Sequence, residues 1–240
     1  MKYSKDVKKV LVIVIPICAI LTGLFIFIRT NVIDLKDNLK DGDVEEVFIT
    51  EEAKNNQTQL LVYLGESYED KGEFDKAIEA YKYALDNEPK AAWVWDRLSF
   101  FYIKTGNFDE ALFAREKATE LDAEDASAYF HYAQILLLYD VEEAILATDK
   151  YYDLSIKSGE SGIEYSEKVN KAYKDFQERY RSGNLYSAYT KLFNSEIYIQ
   201  DAIKVELLTR LIESSTLSSK ELKEIEAIKA NLEKSIAEGI

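Results

Sequence analysis

The residue types most used for nucleophilic and metal chemistry are scarce in this sequence. Its 240 residues include one histidine, His131, and one cysteine, Cys18. A catalytic nucleophile needs a base beside it, and a zinc site needs several His or Cys ligands. Acidic groups such as Glu142 and Glu143 lack the spacing of a calcium loop, and no glycine-rich phosphate loop is present. The sequence therefore predicts no enzyme, no cofactor and no metal site.

Composition points instead to a mostly helical protein. Hydrophobic residues make up 47% of the chain, with only two prolines and nine glycines, which is typical of a mostly α-helical fold. The net charge of -14 argues against nucleic acid as a partner, because phosphate binding needs a basic surface. A single cysteine also excludes a disulfide framework within the chain.

An uncharged apolar run occupies residues 10–28. As a helix rising about 1.5 Å per residue, it is long enough to cross a bilayer core of roughly 30 Å. A cleaved signal peptide would have a shorter apolar run and small residues at the cleavage site, whereas this run ends in bulky residues at 25–28. A lipoprotein signal would need a small residue where Ile17 precedes Cys18. We expect an uncleaved transmembrane anchor.

Basic residues predict how this anchor is oriented. Four lysines lie in the short basic tail, residues 1–9, and the basic residues after the span are diluted among acids. The positive-inside rule then places the amino terminus in the cytoplasm. We expect a single-pass membrane protein whose residues 31–240 lie on the extracytoplasmic side. We interpret residues 31–57 as an acidic juxtamembrane linker.

An internal repeat follows the linker, with one constant shift between equivalent positions. Leu64, Tyr68, Gly72, Phe74, Ala77 and Ala84 recur at that shift as Leu98, Tyr102, Gly106, Phe108, Ala111 and Ala118. The apolar spacing predicts two helices per repeat, with each glycine in a left-handed cap where the first helix ends. A third copy is eroded, and its turn is one residue short.

The stretch "LGESYEDKGEFDKAIEAYKYALDNEP" closely resembles the tetratricopeptide repeat. The family pattern maps onto Leu64, Gly65, Tyr68, Ala77, Tyr81, Ala84 and Pro89. The second unit departs from it at Ser99, Arg115 and Ala123. The resemblance implies units at 58–91, 92–125 and 126–157, the last degenerate. It also implies an all-α solenoid of helix hairpins that serves as a binding scaffold.

Residues 160–240 predict further helices as a carboxy-terminal extension. We interpret the first of them as a decayed fourth hairpin. A helix over 196–214 that includes Ile199 follows, and the last helix begins with a capping box at Ser218 and Glu221. An apolar stripe on the last helix suggests a cap docked on the preceding repeat. The alternative is a partner-binding or dimerising helix.

The resemblance also predicts a partner-binding groove on the first helices of the units. Its predicted residues are Val62, Glu66, Glu69, Trp93, Asp96, Arg97, Phe100, Lys104, Phe130, Gln134 and Leu137. Such a groove is acidic at one end and aromatic in the middle, which suits a protein or peptide with apolar anchors and basic flanks. His131 is either a hydrogen-bonding groove residue or a plain helix-surface residue.

Two interpretations of the groove stay open besides partner binding. The chain's own carboxy-terminal helices or residues 31–57 could cover the aromatic side chains, or another subunit could do so. For the whole protein we expect a membrane-anchored adaptor that holds a protein partner through the groove. The alternative is a permanent structural subunit of a larger membrane complex. The oligomeric state does not follow from the sequence.

Overall fold

The computed structural model describes residues 51–159, 162–214 and 216–238. Within these residues the chain forms ten α-helices in an all-helical solenoid. They are α1 Glu51–Glu69, α2 Phe74–Asn87, α3 Ala92–Lys104, α4 Phe108–Leu121, α5 Ala126–Leu136, α6 Val141–Ser158, α7 Ile163–Arg181, α8 Leu185–Phe193, α9 Asp201–Glu213 and α10 Ser219–Glu238. Helices α1 to α8 pack as four successive hairpins, and each hairpin also contacts the next.

The glycine turns predicted by the repeat are confirmed. Gly72 and Gly106 have φ angles of 69° and 76°, in the left-handed region that glycine adopts without steric cost. The backbone N–H of Gly72 donates to Glu69 O at 2.8 Å, which satisfies a carbonyl at the end of α1. These turns set the angle at which each second helix folds back on its partner.

One packing contact explains why the family pattern has a glycine at position 65. A Cβ atom added to Gly65 would lie 2.8 Å from Cε2 of Tyr81 in the paired helix α2. One repeat later, the equivalent positions hold Ser99 and Arg115. The large ring and the glycine are therefore lost together in the second hairpin, and we attribute both departures to one change of packing.

The first and last parts of the solenoid differ from the predicted boundaries. Helix α1 begins at Glu51, so the last residues of the predicted linker are helical. The helix predicted over 196–214 is wrong at its start, because α9 begins only at Asp201. Residues 197–200 instead form a non-helical segment that ends with an extended backbone at Gln200 (φ -59°, ψ 133°). Within it, Ile197 and Ile199 are buried and Tyr198 is exposed. This alternation has the period of an extended chain, not of a helix.

At the carboxy-terminal end, α9 contacts α3, α8 and α10. The capping box of α10 is confirmed: Ser218 N donates to Glu221 Oε2 at 2.8 Å, and Glu221 N donates to Ser218 Oγ at 3.4 Å. Ile225 of α10 is fully buried, which fixes the first half of this helix to the domain.

The predicted anchor lies outside the described residues, together with residues 1–9 and 29–50. None of the helices in the described ranges combines the length and the apolar composition needed to cross a bilayer.

Candidate partner-binding surface

The first helices of the first three hairpins, α1, α3 and α5, carry a row of residues that we call the inner surface. It consists of Tyr63 and Glu66 in α1, Trp93, Arg97, Phe100 and Lys104 in α3, and His131 and Gln134 in α5. Polar contacts join neighbouring helices along this row. Arg97 Nη2 lies 3.7 Å from Glu66 Oε1, and His131 Nδ1 lies 3.2 Å from Asp96 Oδ1. The three helices therefore lie side by side.

The structure brings most of the predicted groove residues together. Eight of them remain at least partly accessible: Glu66, Glu69, Trp93, Asp96, Arg97, Phe100, Lys104 and Phe130. The other three, Val62, Gln134 and Leu137, are buried and cannot contact a partner in this conformation. Val62 belongs to the core between the helices, and Gln134 lies under the carboxy-terminal part of the chain. Burial thus separates these three positions from the eight accessible ones.

Ion pairs cross from α1 to α3 in the first half of the inner surface. Besides the Arg97–Glu66 pair, Lys104 Nζ lies 3.8 Å from Glu69 Oε1. The same ammonium group lies 4.9 Å from the ring centre of Phe74 and 4.7 Å from that of Phe100, within range of cation–π attraction. Arg97 and Lys104 are thus already engaged with groups of the protein itself.

Asp96 pairs with a buried arginine behind the inner surface. Arg115 of α4 is 1% exposed, and its Nη1 donates to Asp96 Oδ1. Burial lowers the pKa of Arg115 to about 9, so its guanidinium stays charged at neutral pH. The equivalent positions in the first hairpin hold Val62 and Tyr81. Asp96 is therefore chiefly a structural residue.

His131 completes this cluster as a neutral side chain. Burial and the nearby Arg115 cation lower its pKa from 6.5 to about 3. Because a carboxylate only accepts hydrogen bonds, Nδ1 of the neutral ring carries the proton and donates to Asp96. Of the two roles considered for His131, the structure favours a hydrogen-bonding residue that joins α5 to α3.

The lowered pKa of His131 predicts a loss of stability in mild acid. Below pH 6.5 the unfolded chain binds a proton on this histidine and the folded chain does not, so acid favours unfolding. Because of this residue, lowering the pH from 7.5 to 5 should lower the free energy of unfolding by about 2 kcal/mol. Urea denaturation of the full-length chain at the two pH values measures the loss. His131→Gln has no titrating ring, so its loss should be smaller by that amount, and equal losses would contradict the assignment.

The third hairpin's part of the inner surface is covered by the chain itself. Gln200 N donates to Gln134 Oε1 at 3.0 Å, and Tyr198 N donates to Tyr165 Oη at 2.7 Å. The centre of the Tyr165 ring lies 6.0 Å from the centre of the Phe130 ring. The extended segment 197–200 thus crosses α7 and α5, held through its backbone N–H groups. Of the interpretations left open for the groove, self-covering applies to this half.

Two exposed aromatic side chains mark the half that stays open. Trp93 is 50% exposed, as a binding residue should be, and Tyr63 is 59% exposed. Sequence reasoning missed Tyr63 because Val62 took its place in the proposed groove. The repeat itself carried the signal, since Tyr63 lies one repeat before Arg97. The accessible surface therefore runs from Tyr63 and Glu66 to Trp93, Arg97 and Phe100.

A separate cavity of about 460 Å³ lies between residues 137–142, α7, α8 and α9. Its charged residues have partners within the protein: Arg210 Nε donates to Glu206 at 2.8 Å, and Glu142 accepts from Arg181 Nε at 2.9 Å. Over the described ranges, no group of three or more His, Cys, Asp or Glu residues could hold a metal ion. The inner surface remains the candidate site.

Comparison with known proteins supports the repeat assignment. Residues 69–135, from the end of α1 to the last turn of α5, match the model of a family described as tetratricopeptide repeat. Among solved structures, the MamA protein is 21% identical, with 77% of this chain and 92% of that chain covered and a TM-score of 0.45. The TPR2B domain of yeast Sti1, solved in a complex with pHsp70, is 18% identical, with 49% and 96% covered and a TM-score of 0.45. No curated protein matches the sequence.

Proposed function

We propose that this protein is an adaptor that binds an extended segment of a protein partner on the open half of its inner surface. The site comprises Tyr63, Glu66, Trp93, Arg97 and Phe100. Aromatic side chains and arginine are the types enriched at the centres of protein interfaces. They lie here on rigid helices, so little conformational entropy is lost when a partner binds.

The observation that carries this proposal is the chain's own segment 197–200. It lies extended across α7 and α5, and side chains of those helices accept hydrogen bonds from its backbone. Alternate isoleucines, Ile197 and Ile199, are buried beneath it. The row of first helices can therefore hold an extended chain by backbone bonds and apolar anchors. The first two hairpins present the same row of positions with the surface open.

We further propose that residues 10–28 attach the adaptor to a membrane, with the amino terminus cytoplasmic and the helical domain on the extracytoplasmic side. The length and lack of charge of the run support the anchor, and the four preceding lysines support the orientation. In this arrangement the open surface holds its partner close to the bilayer.

Site-specific photocrosslinking in the full-length chain tests the binding surface. A benzophenone amino acid replaces Tyr63 or Trp93, and Leu146 of α6, which is 67% exposed, serves as the control position. We expect positions 63 and 93 to crosslink to one segment of the same protein, as mapped by mass spectrometry, and position 146 to give no such product. The same product from all three positions, or none from 63 and 93, would overturn the proposal.

Copurification separates an adaptor from a permanent structural subunit. An adaptor exchanges its partner, so Trp93→Ala should lower the amount of partner that copurifies with the chain. A permanent subunit would bury a larger surface than the open half of the inner surface. Removing one side chain would then leave the amount of copurified partner unchanged.

A further inference from the structure

We propose that the partner segment is cationic, with lysine or arginine beside an apolar or aromatic residue; this inference rests on the proposed function. It concerns the chemistry of the ligand on the open half of the inner surface, and the charges and aromatic rings of that half carry it.

The helical domain carries the whole net charge of the chain. Residues 1–50 contain seven basic and seven acidic residues, so the net charge of -14 falls on residues 51–240. A charge of this size attracts cationic segments over distances near the Debye length and repels acidic ones. It therefore favours a basic partner before any specific contact forms.

The cations of the open half each lie near an acidic group of the protein itself. Arg97 pairs with Glu66, and Lys104 pairs with Glu69 and lies against the rings of Phe74 and Phe100. Arg115 is buried against Asp96. An acidic segment would have to compete with Glu66 and Glu69 for these cations, and both carboxylates would repel it. This competition disfavours recognition of an acidic tail here.

The acids of the open half, in contrast, can accept a further cation. The Glu66 side chain is 40% exposed, and its partner atom in Arg97 lies 3.7 Å away, beyond an ordinary hydrogen bond. Carboxylate oxygens accept several donors at once, so a partner's ammonium or guanidinium group can bind Glu66 without displacing Arg97. Asp70, one turn further along the chain, is exposed as well.

Two exposed aromatic rings lie on the same two helices, α1 and α3, that carry this carboxylate and its partner Arg97. Tyr63 precedes Glu66 by one turn of α1, and Trp93 precedes Arg97 by one turn of α3. Both are at least half exposed. Cations are attracted to the faces of tyrosine and tryptophan rings, most strongly to tryptophan. An exposed carboxylate on the same surface as two such rings matches a lysine or arginine side chain together with a neighbouring apolar residue.

Two short synthetic peptides test the inference on the full-length chain in detergent micelles. They share the same phenylalanine and alanine residues and differ only in carrying lysine or glutamate. Fluorescence anisotropy of the labelled peptides should show binding at least about tenfold tighter for the lysine peptide. Equal or tighter binding of the glutamate peptide would overturn the inference.

Matched variants separate recognition at the site from general attraction to an acidic protein. Glu66→Gln should weaken binding of the lysine peptide about fivefold, whereas Glu110→Gln, the same change at an exposed position of α4, should weaken it less than about twofold. Equal effects would show general attraction only and would overturn the inference. Crosslinking of positions 63 and 93 to a partner segment without basic residues would overturn the cationic ligand and leave the adaptor role intact.

Discussion

Replacing Asp96 with alanine should lower the free energy of unfolding by about 3–5 kcal/mol, the range for breaking a buried ion pair from one side. Arg115 would keep its charge inside the domain without a carboxylate. Its side chain is 1% exposed, and among the described residues its Nε already has no hydrogen-bond partner. His131 would lose its acceptor as well. Urea denaturation of the full-length chain, followed by circular dichroism, measures the loss.

The first hairpin supplies the matched control for this prediction. Its equivalents of Asp96, Ser99 and Arg115 are Val62, Gly65 and Tyr81. The triple variant Asp96→Val, Ser99→Gly and Arg115→Tyr rebuilds that packing in the second hairpin. The glycine is needed because a Cβ at position 65 would lie 2.8 Å from the tyrosine ring.

We expect the triple variant to unfold within about 1 kcal/mol of the parent chain, because an apolar replacement of a buried ion pair is often neutral or stabilising. A loss below about 1 kcal/mol for Asp96→Ala would contradict the structural role of the pair. A triple variant as unstable as the single one would contradict the equivalence of the two hairpins.

The hairpins could be predicted from the sequence because their determinants are local. Gly72 and Gly106 end their helices through backbone geometry that depends on a few neighbouring residues. The constant shift of the repeat then places the second hairpin once the first is known. The capping box at Ser218 and Glu221 is equally local, and it too was predictable.

The covered half of the inner surface was not predictable in the same way. It depends on a contact between Gln134 and Gln200, which are 66 residues apart. Ile197 and Ile199 fit a helix when they are read together with Ile203 and Leu207. Their alternation with Tyr198 has the period of an extended chain, but so short a segment cannot decide between the two patterns. The burial of both isoleucines and the contact with the distant Gln134 favour the extended segment.

The open half was partly predictable from the sequence. Trp93 and Arg97 follow directly from the family resemblance, since the first helices line the inside of such solenoids. Tyr63 follows only if the repeat shift is applied to Arg97 itself and not to the neighbouring Asp96. A one-residue error moves a position by about 100° around a helix, which exchanges an exposed residue for a buried one.

Replacing Ile199 with alanine should lower the free energy of unfolding by about 2–4 kcal/mol, as for other fully buried aliphatic side chains. Ile199 is 0% exposed and anchors the segment that covers the third hairpin. The cavity left behind cannot close easily, because Ile197 and the start of α9 fix the segment on both sides. Denaturation of the full-length chain measures this loss under the same conditions.

Tyr198→Ala is the control, because Tyr198 is 56% exposed and its hydrogen bond to Tyr165 is made by the backbone. We expect it to change the free energy of unfolding by no more than about 0.5 kcal/mol. Amide exchange gives a second measure: Ile199→Ala should speed exchange at Gln200, whose N–H is bonded to Gln134, more than Tyr198→Ala does. Equal effects of the two variants would show that the segment does not pack into the inner surface. The observation that supports the proposed mode of partner binding would then no longer hold.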